Sequence, residues 1–172
     1  MKRYLFSALL VLSLSHLTPA CAQAPQKTQA RLEKIFPMAP DFTLQDIYQE
    51  DFSLKSYREK SQPVLLFFWT TWCPYCQQEL RVLNSREATL EQDGLTVMAI
   101  NVGEDPAKVE TFIKTFNPTY RVLLDKDTEV SRSFGIMGVP TYVLIDKEGH
   151  IVFQDNFFPL KEYKDLITVV SK

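Results

Sequence analysis

Residues 64–79 read VLLFFWTTWCPYCQQE, and this stretch decides the fold of the chain. The apolar run 64–69 is long enough for one fully buried β-strand, and a polar segment compatible with a helix follows the two cysteines. Cys73 and Cys76 stand between these elements in a Cys-x-x-Cys pattern. Pro74 suits the first turn of a helix, where its missing N–H costs nothing. The sequence therefore predicts a strand that ends at a cysteine pair and continues as a helix.

The position of the cysteine pair indicates redox chemistry. Cys73 falls at the predicted helix N-terminus, where unpaired N–H groups and the positive end of the helix dipole favour a thiolate over a thiol. The thiolate is the nucleophile of disulfide exchange. Cys76 follows one turn later, close enough to form a disulfide with Cys73. We therefore expect Cys73 to attack a disulfide and Cys76 to resolve the mixed disulfide.

The first 22 residues have the pattern of an export signal. Two basic residues precede an apolar stretch that is too short to span a membrane, and small residues follow it. Ala20-Cys21-Ala22 is a site for an ordinary signal peptidase, which would cut after Ala22 and remove Cys21. Alternatively, Cys21 becomes the lipidated first residue of a lipoprotein, although Thr18 and Pro19 fit that motif poorly. Both interpretations predict an exported protein.

Length and charge limit the function of the remaining chain. We interpret residues 1–22 as the signal, 23–37 as a linker and 38–172 as one domain. Without the signal, 17 of the 19 basic residues remain beside all 21 acidic residues, a net charge of −4. This balance favours neither nucleic-acid binding nor a membrane-surface role. An exported domain of this length does not need a disulfide to fold, so its cysteine pair is expected to perform chemistry.

The other patterns predict the order of strands and helices. Residues 42–44 and 52–54 are a candidate β-hairpin without the usual turn glycine. Further strands are predicted at 95–102, 120–124, 141–145 and 151–154, with helices after Asp105-Pro106, after 127–128, where Asp127 or Thr128 can cap the helix, and at 160–170. Helices between strands force parallel connections, and the last two strands form a hairpin. The predicted class is α/β: a thioredoxin-like fold with a central mixed β-sheet flanked by helices, an N-terminal β-hairpin and an extra βα insertion.

Three blocks of the sequence carry a family resemblance. They are 39–44 (APDFTL), 68–79 (FWTTWCPYCQQE) and 138–149 (GVPTYVLIDKEG). In this order and spacing they resemble the TlpA/ResA family of exported thiol–disulfide oxidoreductases, within the thioredoxin superfamily. The resemblance covers the chain from about residue 38 to its C-terminus. It implies that Cys73 is an exposed nucleophile, that Cys76 is its partner, and that the acid at Glu79 lies near the pair and influences its proton transfers.

The resemblance also implies a binding surface for client proteins. Pro140 is expected to be cis and to face the disulfide. Its neighbour Val139 would present its backbone to an extended peptide, which docks as a short added strand. Trp72, Pro74 and Tyr75 are expected to complete this surface, with simple packing as the alternative for Trp72. No cofactor or metal is expected, because the redox group is the disulfide itself.

Two positions depart from related patterns. Thioredoxin has a buried aspartate six positions before its first cysteine, whereas this chain has Phe67, which cannot relay a proton. That task would fall to Glu79 or to water, although Glu79 also fits as an ordinary first-turn acid that complements the helix dipole. Pro74-Tyr75 is the dipeptide typical of glutaredoxins. Because this dipeptide tunes the potential, the sequence does not place the protein on the redox scale.

The expected function is the reduction of disulfides in client proteins of the bacterial cell envelope. The resemblance implies two kinds of partner: clients, with apocytochrome c as one candidate, and a membrane thiol donor of the DsbD/CcdA type, which recharges the pair in an oxidising compartment. A monomer is expected at the periplasmic side, either soluble or lipid-anchored through Cys21.

Two other functions stay open at this point. Thr70-x-x-Cys73 is similar to the motif of a thiol peroxidase of the peroxiredoxin type, but Leu66 stands where that motif has proline. A copper-binding protein or an envelope adaptor is the other alternative. Copper carriers of related fold use Cys-x-x-x-Cys with a distal histidine, whereas here the spacing is shorter and His150 is predicted in a turn. Zinc is disfavoured because it needs four ligands.

Overall fold

The computed structural model describes residues 36–168. The predicted signal, nearly all of the predicted linker and the last four residues lie outside the described residues. The strands are β1 (Thr43–Gln45), β2 (Asp51–Ser53), β3 (Val64–Trp69), β4 (Thr96–Val102), β5 (Arg121–Asp125), β6 (Thr141–Ile145) and β7 (Ile151–Asp155). The helices are α1 (Leu54–Glu59), α2 (Pro74–Gln92), α3 (Pro106–Phe116), α4 (Glu129–Ser133) and α5 (Tyr163–Leu166). Within 36–168, no helix has both the length and the apolar character needed to cross a membrane.

A mixed sheet of five strands forms the centre, in the order β5-β4-β3-β6-β7. β3, β4 and β5 run parallel because helices connect them, whereas β6 and β7 are antiparallel to their neighbours. The hairpin β1–β2 forms a second, two-stranded sheet. The unit β5–α4 precedes the final hairpin, as the predicted insertion does. The predicted thioredoxin-like α/β fold is therefore confirmed.

The central strand β3 is buried along its whole length. Leu65, Phe67 and Trp69 face a cluster that contains the buried side chains of α2, α3 and α5. Leu66 and Phe68 face a second cluster, built from the hairpin, α1 and α4. A strand covered on both faces requires an unbroken apolar run. Because β3 is packed on both sides, the position of its C-terminal end, after which the cysteines follow, is well determined.

The ends of helices α2 and α4 are fixed by local residues. Helix α2 ends at Gln92, and Gly94 follows with a φ of 82°, the left-handed conformation that glycine adopts without a Cβ penalty. Thr128 occupies the N-cap position of α4, as predicted, but its side chain makes no cap hydrogen bond. The carboxylate of Asp125 instead accepts the backbone N–H groups of Val130 and Ser131, at 3.1 and 2.8 Å.

The N-terminal end of the described chain is fixed at the turn between β6 and β7. The Ala39 N–H donates to the Gly149 carbonyl at 2.9 Å, and the Ile151 N–H donates to the Pro37 carbonyl at 2.8 Å. His150 lies at this turn, as predicted, and is buried. Since β6 is antiparallel to β3, this turn lies at the end of the sheet opposite the cysteine pair.

Candidate active site

The cysteine pair lies at the junction of β3 and α2 that the sequence predicts. Cys73 is the N-cap residue of α2, and Cys76 lies in its first turn; the two form a disulfide. The Cys76 N–H donates to the Cys73 Sγ at 3.2 Å. A negative charge on this sulfur would therefore meet a helix N–H and the positive end of the helix dipole.

The exposure of the pair differs from the expectation. Cys73 is only 5% exposed, and Cys76 is fully buried, because both belong to the core cluster that contains Trp69. The residues beside the pair are open instead: Trp72 is 66% exposed and Tyr75 is 72% exposed. Cys73 therefore presents little accessible surface, and its neighbours Trp72 and Tyr75 provide most of the exposed surface beside the pair.

The loop before β6 faces the disulfide. The Val139–Pro140 peptide bond is cis, as predicted. The carbonyl oxygen of Val139 lies 3.9 Å from the Cys73 Sγ. On the other side of the proline, the side-chain amide of Asn156 donates to the Pro140 carbonyl at 2.6 Å. Asn156 was not expected here, since it lies 16 residues further along the chain, beyond the end of β7.

Glu79 makes a contact that the sequence did not reveal. The Tyr142 hydroxyl donates to the Glu79 Oε2 at 2.6 Å. Tyr142 is fully buried, and its ring packs against Phe67 with a centroid distance of 4.6 Å. Burial, with a further contribution from the hydrogen bond to Glu79, raises the pKa of Tyr142 far above its ordinary value of 10. The phenol therefore stays a donor, and it holds the Glu79 carboxylate one helical turn beyond Cys76.

A second carboxylate, that of Glu104, contacts the loop between β3 and α2. It accepts the Thr71 N–H at 2.6 Å and the Thr71 hydroxyl at 2.7 Å. Asn101 Nδ2 and Lys108 Nζ also donate to it, at 2.8 and 2.6 Å. Burial acts to raise the pKa of Glu104, but the hydrogen bonds outweigh burial, and the pKa lies below its usual value. The carboxylate is therefore ionised at neutral pH although the residue is buried.

Potential metal ligands do not gather at the pair. Among residues 36–168, no group of three or more His, Cys, Asp or Glu side chains is placed to hold a metal ion. His150 lies at the opposite end of the sheet, with its Nδ1 3.5 Å from the Asp146 Oδ2. The structure thus does not bring His150 and the cysteines together.

The chain matches the AhpC/TSA family over residues 36–154. It is 36% identical over 113 residues to the thiol-disulfide oxidoreductase ResA of Geobacillus thermodenitrificans, an alignment that covers 66% of this chain and 64% of that protein. It is 28% identical over 150 residues to ResA of Bacillus cereus, which covers 87% of this chain and 86% of that protein.

Two solved structures share the fold. StoA from Bacillus subtilis superimposes with a TM-score of 0.63 and 26% identity, over 74% of this chain and 96% of that one. A thiol:disulfide interchange protein from Chlorobium tepidum gives a TM-score of 0.66 and 24% identity, over 80% of this chain and 97% of that one. The second likeness supports the fold alone.

Proposed function

Because this chain belongs to the AhpC/TSA family, within the thioredoxin superfamily, and is similar to ResA, we propose that it is a thiol–disulfide oxidoreductase that reduces disulfides of client proteins. The observation that carries the proposal is the geometry of Cys73. Its sulfur accepts a helix N–H from Cys76 and lies 3.9 Å from the backbone of Val139. Both contacts support the proposal, because the helix N–H would stabilise a negative charge on this sulfur and the Val139 backbone would lie beside a docked peptide.

The proposed reaction is two successive thiol–disulfide exchanges. In the reduced protein, the Cys73 thiolate attacks one sulfur of the client disulfide, and the other client sulfur leaves as a thiolate. Cys76 then loses its proton and attacks the Cys73 Sγ. The client leaves with both sulfurs reduced, and the Cys73–Cys76 disulfide remains.

The client is proposed to dock as an extended segment beside Val139. The pairing between β3 and β6 begins at Thr141, so the backbone of Val139 lies outside that ladder. A client strand could therefore pair with it next to Cys73. The exposed surfaces of Trp72, Pro74 and Tyr75, together with Pro140, would contact the residues on either side of the client cysteine.

The proposed setting is the periplasmic side of the cell envelope. The export pattern of residues 1–22 supports it, and the open choice at Cys21 leaves two forms, free or lipid-anchored. In this oxidising compartment the pair needs a source of electrons. We propose a membrane thiol donor of the DsbD/CcdA type, clients that include apocytochrome c, and a monomeric protein.

Reduction of insulin disulfides and consumption of hydrogen peroxide distinguish the two enzymatic functions. With dithiothreitol as reductant, the purified protein is expected to accelerate insulin reduction at least about tenfold, since it supplies a positioned thiolate. It is expected to leave the rate of peroxide consumption at the level of dithiothreitol alone. Fast peroxide consumption without insulin reduction would favour the peroxidase, and a thiol pair inert in both assays would favour the binding protein.

Glu79→Gln is expected to change the pH dependence of the alkylation of the reduced pair by iodoacetamide. The midpoint should move to lower pH, because a negative charge one turn from Cys76 no longer opposes a thiolate. Glu91→Gln is the matched control, since Glu91 is exposed at the far end of the same helix. If both variants keep the profile of the unmodified protein, Glu79 only complements the helix dipole.

A further inference from the structure

We propose that Glu104 is a positioning residue for the active-site loop, defined here as residues 70–73, and that it acts on client binding through Thr71. This inference rests on the proposed function and extends it to a residue outside the three family blocks. The hydrogen-bond partners of Glu104 are Thr71, Asn101 and Lys108, and neither cysteine is among them. Its effect would therefore pass through the backbone that leads into Trp72 and Cys73.

The hydrogen bonds fix the loop on both sides of Thr71. The Glu104 carboxylate accepts a hydrogen bond from the Thr71 N–H, and this N–H belongs to the peptide group between Thr70 and Thr71. The side-chain amide of Gln77, on α2, donates to the Thr71 carbonyl at 2.8 Å, which belongs to the peptide group after it. With both peptide groups held, the direction in which the chain enters Trp72 is determined.

The other contacts of Glu104 tie the loop to the sheet. Asn101 lies on β4, next to Trp69 of β3, and Lys108 lies in the first turns of α3. The carboxylate thus joins the active-site loop to β4 and α3. The orientation of the loop is therefore set by elements that are themselves packed in the core.

The chemistry of the site suggests a positional role. A buried ion pair often adds little to the stability of a fold, because apolar residues of similar volume can replace it without loss. A carboxylate, however, accepts several hydrogen bonds at fixed angles and so orients a backbone that apolar packing would leave free. Four donors converge on Glu104, and two of them belong to the residue just before Trp72.

Client binding is the step that should depend on this contact. The Trp72 side chain is 66% exposed, so its direction depends mainly on the backbone that carries it. A loosened loop would lower the fraction of molecules in which Trp72 and the Val139 backbone face the client together. The Cys73 sulfur, in contrast, is positioned by the N-terminus of α2, so the rate of its attack should depend less on Glu104.

The test uses kinetics and amide exchange on Glu104→Gln. The glutamine side chain has one oxygen and one NH₂ group, so its NH₂ group must face either the Thr71 donors or Lys108. At least one of these hydrogen bonds is therefore lost, while the side-chain volume is kept. We expect the KM for insulin to rise about fivefold or more with kcat reduced less than about twofold. The Thr71 amide should exchange at least about tenfold faster, with the Phe67 amide unchanged.

Three further variants separate positioning from general stability. Thr71→Ser keeps both donors and is expected to retain the unmodified KM, whereas Thr71→Val removes the hydroxyl and should raise the KM. Thr71→Val also serves if Glu104→Gln does not fold. The control is Asp46→Asn, which removes a buried carboxylate that accepts two backbone N–H groups and an arginine outside the loop. It should lower stability and leave the KM unchanged.

The outcomes decide between the two roles. An unchanged KM and unchanged Thr71 exchange in Glu104→Gln would overturn the proposal, as would a rise in KM that Asp46→Asn reproduces at equal loss of stability. If the unmodified protein reduces no insulin, the proposed function fails instead. The exchange of the Thr71 amide would then still decide whether Glu104 holds the loop.

Discussion

Replacing Cys73 with serine is expected to lower insulin reduction to the rate of dithiothreitol alone. A serine hydroxyl is not ionised at neutral pH and forms no disulfide, so the first exchange cannot begin. Replacing Cys76 with serine blocks the reaction at a later step: the first exchange still occurs, but the sulfur that would resolve the mixed disulfide is absent. Mixed disulfides on Cys73 should then accumulate. They should appear as additional bands in non-reducing electrophoresis and disappear when the sample is treated with a reductant.

The double replacement of Cys73 and Cys76 by serine is the control and should capture nothing. Trapping in the native envelope with Cys76→Ser, followed by identification of the captured proteins, would reveal the clients and test whether apocytochrome c is among them. Full turnover by Cys73→Ser, or capture through Cys76 in place of Cys73, would contradict the proposed roles.

Phe67→Asp is expected to destabilise the fold by about 4 kcal/mol or more, because it buries a carboxylate without a donor. Phe67 is fully buried and packs on Tyr142. The Tyr142 hydroxyl has one proton, and Glu79 already accepts it. The aspartate that thioredoxin carries at this position would thus find its nearest phenol occupied. Unfolding in guanidinium chloride measures the loss.

Phe67→Leu is the matched control and is expected to lose about 1–2 kcal/mol, because it removes ring contacts without adding charge. A loss in Phe67→Asp no larger than that of the control would contradict this expectation and show that the new carboxyl group had found a hydrogen-bond donor, with the Tyr142 hydroxyl as the candidate. This outcome would mean that the site adapts to a thioredoxin-like carboxyl group.

The elements around the cysteine pair could be predicted because their signals are local. The unbroken apolar run of β3, the proline after Cys73 and the glycine after α2 each act within a few residues. The block around Pro140 carried a specific resemblance, and its cis bond and its approach to Cys73 are confirmed. Local signals therefore determined the strand, the helix and the two sides of the candidate site.

The contacts that hold the site could not be predicted, because they join distant parts of the chain. Thr71 and Glu104 are 33 residues apart, and Glu79 and Tyr142 are 63 residues apart. The pairing of β3 with β4 brings the first two residues together, and the packing of α2 against the sheet brings the second two together. The burial of Cys73 also depends on distant parts of the chain, since the core cluster that contains it includes side chains of α2 and α3. The difference at α4 is local: Thr128 stands at the N-cap position, but Asp125, the last residue of β5, supplies the carboxylate that accepts the free N–H groups.

The attachment of residues 37–39 to the turn at Gly149 has a consequence for how the molecule is oriented. The chain enters the domain at one pole of the sheet, and the disulfide occupies the other, about 15 Å away along β6. A protein held close to residues 37–39 would thus have its cysteine pair on the side away from the point of attachment. Partners approaching from the far side would meet Trp72 and Tyr75 first, without the domain having to turn over.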